Sequence, residues 1–221
     1  MNLPNLTLEG LKTEAQRFAS YLSANPVPDM HKTTDGKAVG THVENAFNQH
    51  LANHFHFTKG NAASGIDFPE LGVDLKVTSV KQPQSSCPFR DASQKIFGLG
   101  YNLLIFVYEK IDYPADETAL LQINFAIFLS QERTADYQTT YGLREIIRRN
   151  GNKDDVVAFL EERHLPLDEI GREQMANRII DSPPEIGYLT ISNALQWRLQ
   201  FTRAIGFAAQ GEEGVENLLG K

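Results

Sequence analysis

The stretch Gly65-Ile66-Asp67-Phe68-Pro69-Glu70-Leu71-Gly72-Val73-Asp74-Leu75-Lys76-Val77-Thr78-Ser79 decides how this chain is read. From Val73 to Thr78 apolar and polar residues alternate, which is the period of a strand. Val73, Leu75 and Val77 take one face, and Asp74, Lys76 and Thr78 take the other. A carboxylate and an ammonium therefore share a face. Upstream, Ile66-Asp67-Phe68 is a short apolar segment, and Pro69-Glu70-Leu71-Gly72 has the punctuation of a turn that returns the chain antiparallel. The spacing predicts a hairpin that brings Asp67 beside Asp74.

Those residue types suit one chemistry. Two carboxylates give hard oxygen ligands for Mg2+, which needs only one or two of them beside waters and phosphate oxygens. The ion acidifies water and neutralises charge on a phosphoryl group. A lysine two residues beyond the second acid can hold the attacking water or steady the scissile phosphate as a point charge. An isolated Asp-x-Lys is more often a solvated strand face, because charged strand faces are common. The flanks decide between the two.

On the N-terminal side, Val39 to Phe55 reads as an amphipathic helix, with Val43, Phe47, Leu51 and Phe55 spaced by four. Glu44 falls at the edge of that apolar stripe, where a carboxylate needs a partner; a boundary ion pair would also satisfy it. On the C-terminal side, Asn102 to Tyr108 and Gln122 to Leu129 are rich in β-branched and aromatic residues and are the best central strands in the chain. A short helix is expected around Ala92 to Gly98. The order helix, strand, strand, helix, strand, strand suits an α/β (α+β) fold with a mixed central sheet flanked by helices.

With these flanks, the segment from about Gly40 to Leu129 resembles the PD-(D/E)xK nuclease superfamily, and more narrowly type II restriction endonucleases. Asp67 matches the first acid of that pattern, Asp74 the second acid and Lys76 the lysine, while Ile66 stands where the family name has proline. Glu44 looks like the glutamate that such nucleases often carry on the helix before the catalytic hairpin. The resemblance implies that Asp67 and Asp74 hold one or two Mg2+ ions and that Lys76 positions the water, with Glu44 supporting the cluster. It also implies sequence-specific double-strand cutting that leaves 5′-phosphates, and a homodimer that meets double-stranded DNA with one centre per strand. A cognate methyltransferase is expected as a genetic neighbour rather than a bound partner. The alternatives are a repair or junction-resolving nuclease with the same centre, and a helix-turn-helix regulator in which the Asp-x-Lys is incidental.

Composition sets the remaining bounds. The 221 residues can bury one good core and a small second one, and 41% hydrophobic with 22% charged residues is ordinary for a globular protein. No stretch has the length of a membrane helix, and Met1 to Asn5 lacks the features of a signal peptide. A cytoplasmic protein with no membrane partner is expected. The single cysteine, Cys87, excludes an internal disulfide and a thiolate metal cage. His50 and His54 are spaced by four, but no cysteine or histidine–glutamate pairing in the sequence completes a zinc set.

A net charge of −7 argues against DNA until its distribution is considered. The excess acid lies wholly beyond residue 110, and Leu75 to Arg90 contains Lys76, Lys81 and Arg90 without any acid. Between Glu185 and Glu212 there is again no acid, while Arg198 and Arg203 are present. Such windows are compatible with a positive cleft on an acidic protein, although charge runs often only solvate a face. Val80 to Arg90 directly follows the Asp-x-Lys strand and combines amide, hydroxyl and cationic groups, the types that read base edges and phosphates. Lys81, Gln82, Gln84, Ser85 and Arg90, with Arg198 and Arg203, are therefore the expected DNA contacts.

Three divisions are expected: a helical N-terminal segment over 1–37, a nuclease core over 38–135, and a helical C-terminal region over 136–221 for DNA contact or dimerisation. In the last, helices are expected over Asp154 to Arg163, Leu167 to Ile180, and Ser192 to Phe207. The third is the best placed to meet DNA, since the first two are acidic.

Overall fold

The computed structural model describes residues 3–60, 65–87, 91–192 and 197–220. Its centre is the pair of long antiparallel strands β3 (Asn102–Tyr113) and β4 (Thr118–Leu129). Leu103 to Tyr108 are all buried, as expected of a strand covered on both faces. Leu104, Phe106 and Tyr108 point into one core, and Leu103, Ile105 and Val107 into another. Strand β1 (Val73–Ser79) joins β3 in parallel and forms one edge; β7 (Val215–Asn217) pairs with β4 and forms the other. The expected mixed sheet flanked by helices is present.

Helices α1 (Leu8–Ala24) and α2 (Gly36–Ala52) cover the first face. Thr7 and Asp35 cap them by accepting hydrogen bonds from Gly10 N and Lys37 N. Val43, Phe47 and Leu51 of α2 are fully buried, and Phe47 meets Phe18 and Phe106 with ring centroids 5.1 and 5.2 Å apart. A small second sheet covers the other face, made of β2 (Gln84–Cys87), β5 (Thr190–Ile191) and β6 (Trp197–Gln200) in the order β2-β6-β5. Helix α7 (Thr202–Gln210) lies with it. A third, smaller core joins Ile96 of α3 (Gln94–Phe97) to α4 (Tyr137–Arg148), α5 (Lys153–Glu162) and α6 (Glu169–Asp181).

Two elements differ from the sequence reading. Ile66 to Phe68 is not a strand: one antiparallel bridge, Phe68 to Val73, remains of the hairpin. The turn between them is a 3-10 turn over Pro69–Leu71, closed by Gly72 at φ +60°, a left-handed conformation that suits glycine. Ser192 to Phe207 is not one helix. Residues 193–196 lie outside the described set, Trp197–Gln200 is a strand, and helix begins only at Thr202. Buried Leu199 between exposed Arg198 and Gln200 has the period of two, and pairing with β2 overrides the four-residue spacing of Trp197, Phe201 and Ile205. Residues 136–221 are thus helical in α4 to α7 but also supply three strands.

Candidate active site

Because β1 is an edge strand, the backbone N–H of Leu75 points away from β3 and needs a partner. Asp67 supplies it: its Oδ2 accepts the Leu75 N–H at 2.9 Å. That bond, rather than a hairpin ladder, brings Asp67 against β1. Gly60 fixes the backbone there, since its N–H donates to Asp67 O at 2.7 Å and a Cβ would come within 1.8 Å of Ile66 O. Neither role is visible in the sequence.

Asp74 is only 5% exposed, and Lys76 Nζ lies 2.7 Å from its Oδ2. Burial pushes the Asp74 carboxyl up to about 7; the Lys76 charge opposes this, while a hydrogen bond with Asp67 and that residue's charge reinforce it. Burial alone would lower the Lys76 ammonium, but Asp74 and Asp67 outweigh it and keep its pKa raised, so Lys76 is a fixed cation. Glu44, half-buried on α2, is raised by burial and then by the charge of Asp67, with Lys76 and Lys59 opposing. The four residues Glu44, Asp67, Asp74 and Lys76 are thus one electrostatic group.

A cleft of about 870 Å³ opens beside this group. Thr33, Thr34, Lys37 and Glu44 line it, together with Val77 to Gln82 and with Gln84, Ser85, Ser86 and Arg198. Asp67, Asp74 and Lys76 are not among its lining residues; Glu44 and Val77 are where it reaches them. Of the residues expected to touch DNA, Lys81, Gln82, Gln84, Ser85 and Arg198 line the cleft. Arg203 does not: on α7 its guanidinium lies 3.7 Å over the ring of Tyr137. Arg90 lies outside the described residues.

Thr78, a buried residue that lines the cleft, is not singled out by the sequence. Its Oγ1 accepts the Gln84 N–H at 2.9 Å and lies 3.1 Å from Gln84 O and 3.2 Å from Gln82 O. It clasps β2 to the strand that carries Asp74 and Lys76.

The donor set fits a hard divalent cation: oxygen ligands only, with Asp74 buried and Asp67 and Glu44 partly so, and three carboxyls beside the one Lys76 ammonium. Asp67 and Asp74 are the residues that would hold it. A different group, Glu14, His50 and His54, has its ligand atoms within 4.8 Å of one another. Glu14 is the partner that the sequence did not reveal for His50. Its carboxylate is already matched by Arg17 at 2.7 Å and His50 at 2.8 Å, so the group acts as a clasp between α1 and α2. Burial would raise the Glu14 carboxyl, but His50 and Arg17 outweigh it and hold it below the usual carboxylate range.

Residues 5–217 match the model of the family described as Type II restriction enzyme NspV, and the chain belongs to that family of type II restriction enzymes. The curated Type II restriction enzyme NspV from Nostoc sp. (strain ATCC 29411 / PCC 7524) is 56% identical over 210 residues, which cover 95% of this chain and 95% of the relative. No solved structure matches the chain. Membership of an enzyme family sets aside the reading of the C-terminal helices as a DNA-binding regulator. No helix among the described residues is long and apolar enough to cross a membrane.

Proposed function

We propose that this chain is a type II restriction endonuclease that cuts both strands of duplex DNA at a specific sequence, in a Mg2+-dependent reaction that leaves 5′-phosphates. The observation that carries the reading is Asp74 and Lys76 on the edge strand beside the cleft, with Asp67 bonded to that strand, in a member of a restriction-enzyme family. Asp67 and Asp74 would hold the metal, which when bound would neutralise phosphoryl charge and acidify water. Lys76, kept cationic by the two aspartates, orients the attacking water and stabilises charge on the scissile phosphate. Water oxygen bonds to phosphorus as the P–O3′ bond breaks, giving a 5′-phosphate and a 3′-hydroxyl. Glu44 adjoins the cluster from α2 and takes part in its charge balance. A homodimer would present two such centres to the two strands.

The test is incubation of the purified chain with plasmid DNA and Mg2+. Discrete fragments are expected, none with EDTA, and the ends should ligate without prior kinase treatment. A smear, a preference for branched substrates, or undiminished cutting by Lys76→Ala would overturn the reading. Sedimentation with and without a site-bearing duplex tests the dimer.

A further inference from the structure

The small β2-β6-β5 sheet has two unlike faces. Cys87, Leu199 and Ile191 are buried against the second core. Ser85 shares their side, and its Oγ is buried with no hydrogen-bond partner among the described residues. The opposite side follows from the strand period and the register. Gln84 pairs with Gln200, Gln200 with Thr190, and Ser86 with Arg198, and directly paired residues share a face. Ser86, Arg198 and Gln200 are exposed. The outward face therefore displays Gln84, Ser86, Thr190, Arg198 and Gln200: amides and hydroxyls that both donate and accept, one guanidinium, and no carboxylate. In a chain of net charge −7 that is an unusual composition for a surface.

We propose that this outward face is the element that reads base edges in the major groove, with Gln84, Ser86, Arg198 and Gln200 as the specificity-determining side chains. The inference rests on the restriction-endonuclease reading above and deepens it. The major groove admits a two-stranded β-ribbon, and glutamine and arginine there make paired hydrogen bonds to adenine and guanine. Neighbouring strands place the side-chain rows about 4.8 Å apart, a spacing that lets residues of both strands reach one groove. Three of the four named residues, Gln84, Ser86 and Arg198, also line the cleft that Glu44 enters. Through Thr78 the ribbon is hydrogen-bonded to β1, two residues beyond Lys76, so the register between reading and cutting is built into the fold. Reading therefore belongs to a strand pair, not to the helix expected over Ser192 to Phe207, and the outward Ser86 takes the place of the inward Ser85.

The test starts from the cut sites of the wild-type protein, mapped on plasmid DNA in Mg2+. Gln84→Ala, Arg198→Ala and Gln200→Ala are then compared on duplexes with the mapped site and with single base-pair changes in it. Each variant should lose about tenfold to a hundredfold in kcat/KM on the mapped site, with a smaller loss on at least one altered site, the scale of one base contact. Thermal midpoints near that of the wild type confirm that folding is intact. Because a variant could misfold, the wild-type protein is also tested on sites carrying 7-deazapurines, which lack the N7 acceptor of the major groove. Slower cutting at one such position, with that penalty absent in Arg198→Ala or in a glutamine variant, supports the assignment. Indifference of the wild type to every such substitution, equal losses on all sequences, or variants within twofold of the wild type would overturn it. A wild-type protein that makes no discrete fragments would overturn the function reading instead.

Discussion

Asp74 and Asp136 are both buried carboxylates, 5% and 3% exposed, yet their surroundings treat them in opposite ways. Asp136 caps α4. Its Oδ2 accepts from Thr139 N at 2.9 Å and Thr139 Oγ1 at 2.7 Å, and its Oδ1 accepts from Ile191 N at 2.8 Å. It stands at a helix N-terminus, where the dipole favours negative charge. Asp74 has the Lys76 ammonium on one side and a second carboxyl on the other, and burial pushes it toward protonation. Folding satisfies one acid and leaves the other short of positive charge. The satisfied acid joins the helical region to the β2-β6-β5 sheet; the unsatisfied one stands in the group proposed above to take a metal ion.

The contrast can be broken from either side. The largest effect is expected from Asp74→Asn, which should lower cutting by at least about a thousandfold, the scale of several kcal/mol of lost charge stabilisation. Its thermal midpoint in EDTA should stay level or rise, because the repulsion from Asp67 is relieved; a clear drop would contradict the account of Asp74. Asp136→Ala should do the reverse. Loss of the cap and of the bonds to Thr139 and Ile191 should cost about 3–5 kcal/mol in urea unfolding, with cutting per folded molecule retained.

Glu14 extends the satisfied class, and Glu14→Gln should cost about 1–2 kcal/mol near neutral pH. Its carboxyl is held below its ordinary value of 4.5 in the fold, so this stability is complete above that value and is lost as pH falls through the lowered folded pKa. The gap between wild type and variant should therefore close in acid; an equal gap at pH 3 and pH 7 would show that the clasp is not electrostatic. The smallest change in stability, about 1 kcal/mol, is expected for Thr78→Val. Its informative readout is the ratio of cutting at the mapped site to cutting at altered sites, which should fall as β2 loosens from β1.

The sheet and the acidic group were legible to different degrees. The run Leu103 to Tyr108 announced a strand buried on both faces, since no polar residue interrupts it. The spacing of Val43, Phe47 and Leu51 announced α2 equally well. Asp74 and Lys76 were placed on one face by alternation alone, and the structure sets them 2.7 Å apart. Asp67 was expected near them, but through a hairpin that does not form. A side-chain bond to the unpaired amide of an edge strand has no sequence period, so it could not be read. The same holds for His50, whose partner Glu14 comes from another helix.

What the sequence by itself determined was local. Apolar periods of two and of four set most strands and helices, and the positions of Asp74, Lys76 and Glu44 relative to those periods set which side each could serve. What only the tertiary structure decided was everything that depends on which strand is an edge and which strand finds which neighbour. Asp67 is drawn to Leu75 N because, among the described residues, no strand forms a ladder with β1 on that side. Trp197 to Gln200 becomes a strand because β2 offers it a ladder. Both outcomes follow from the need of backbone polar groups for partners, and those partners are distant in the chain.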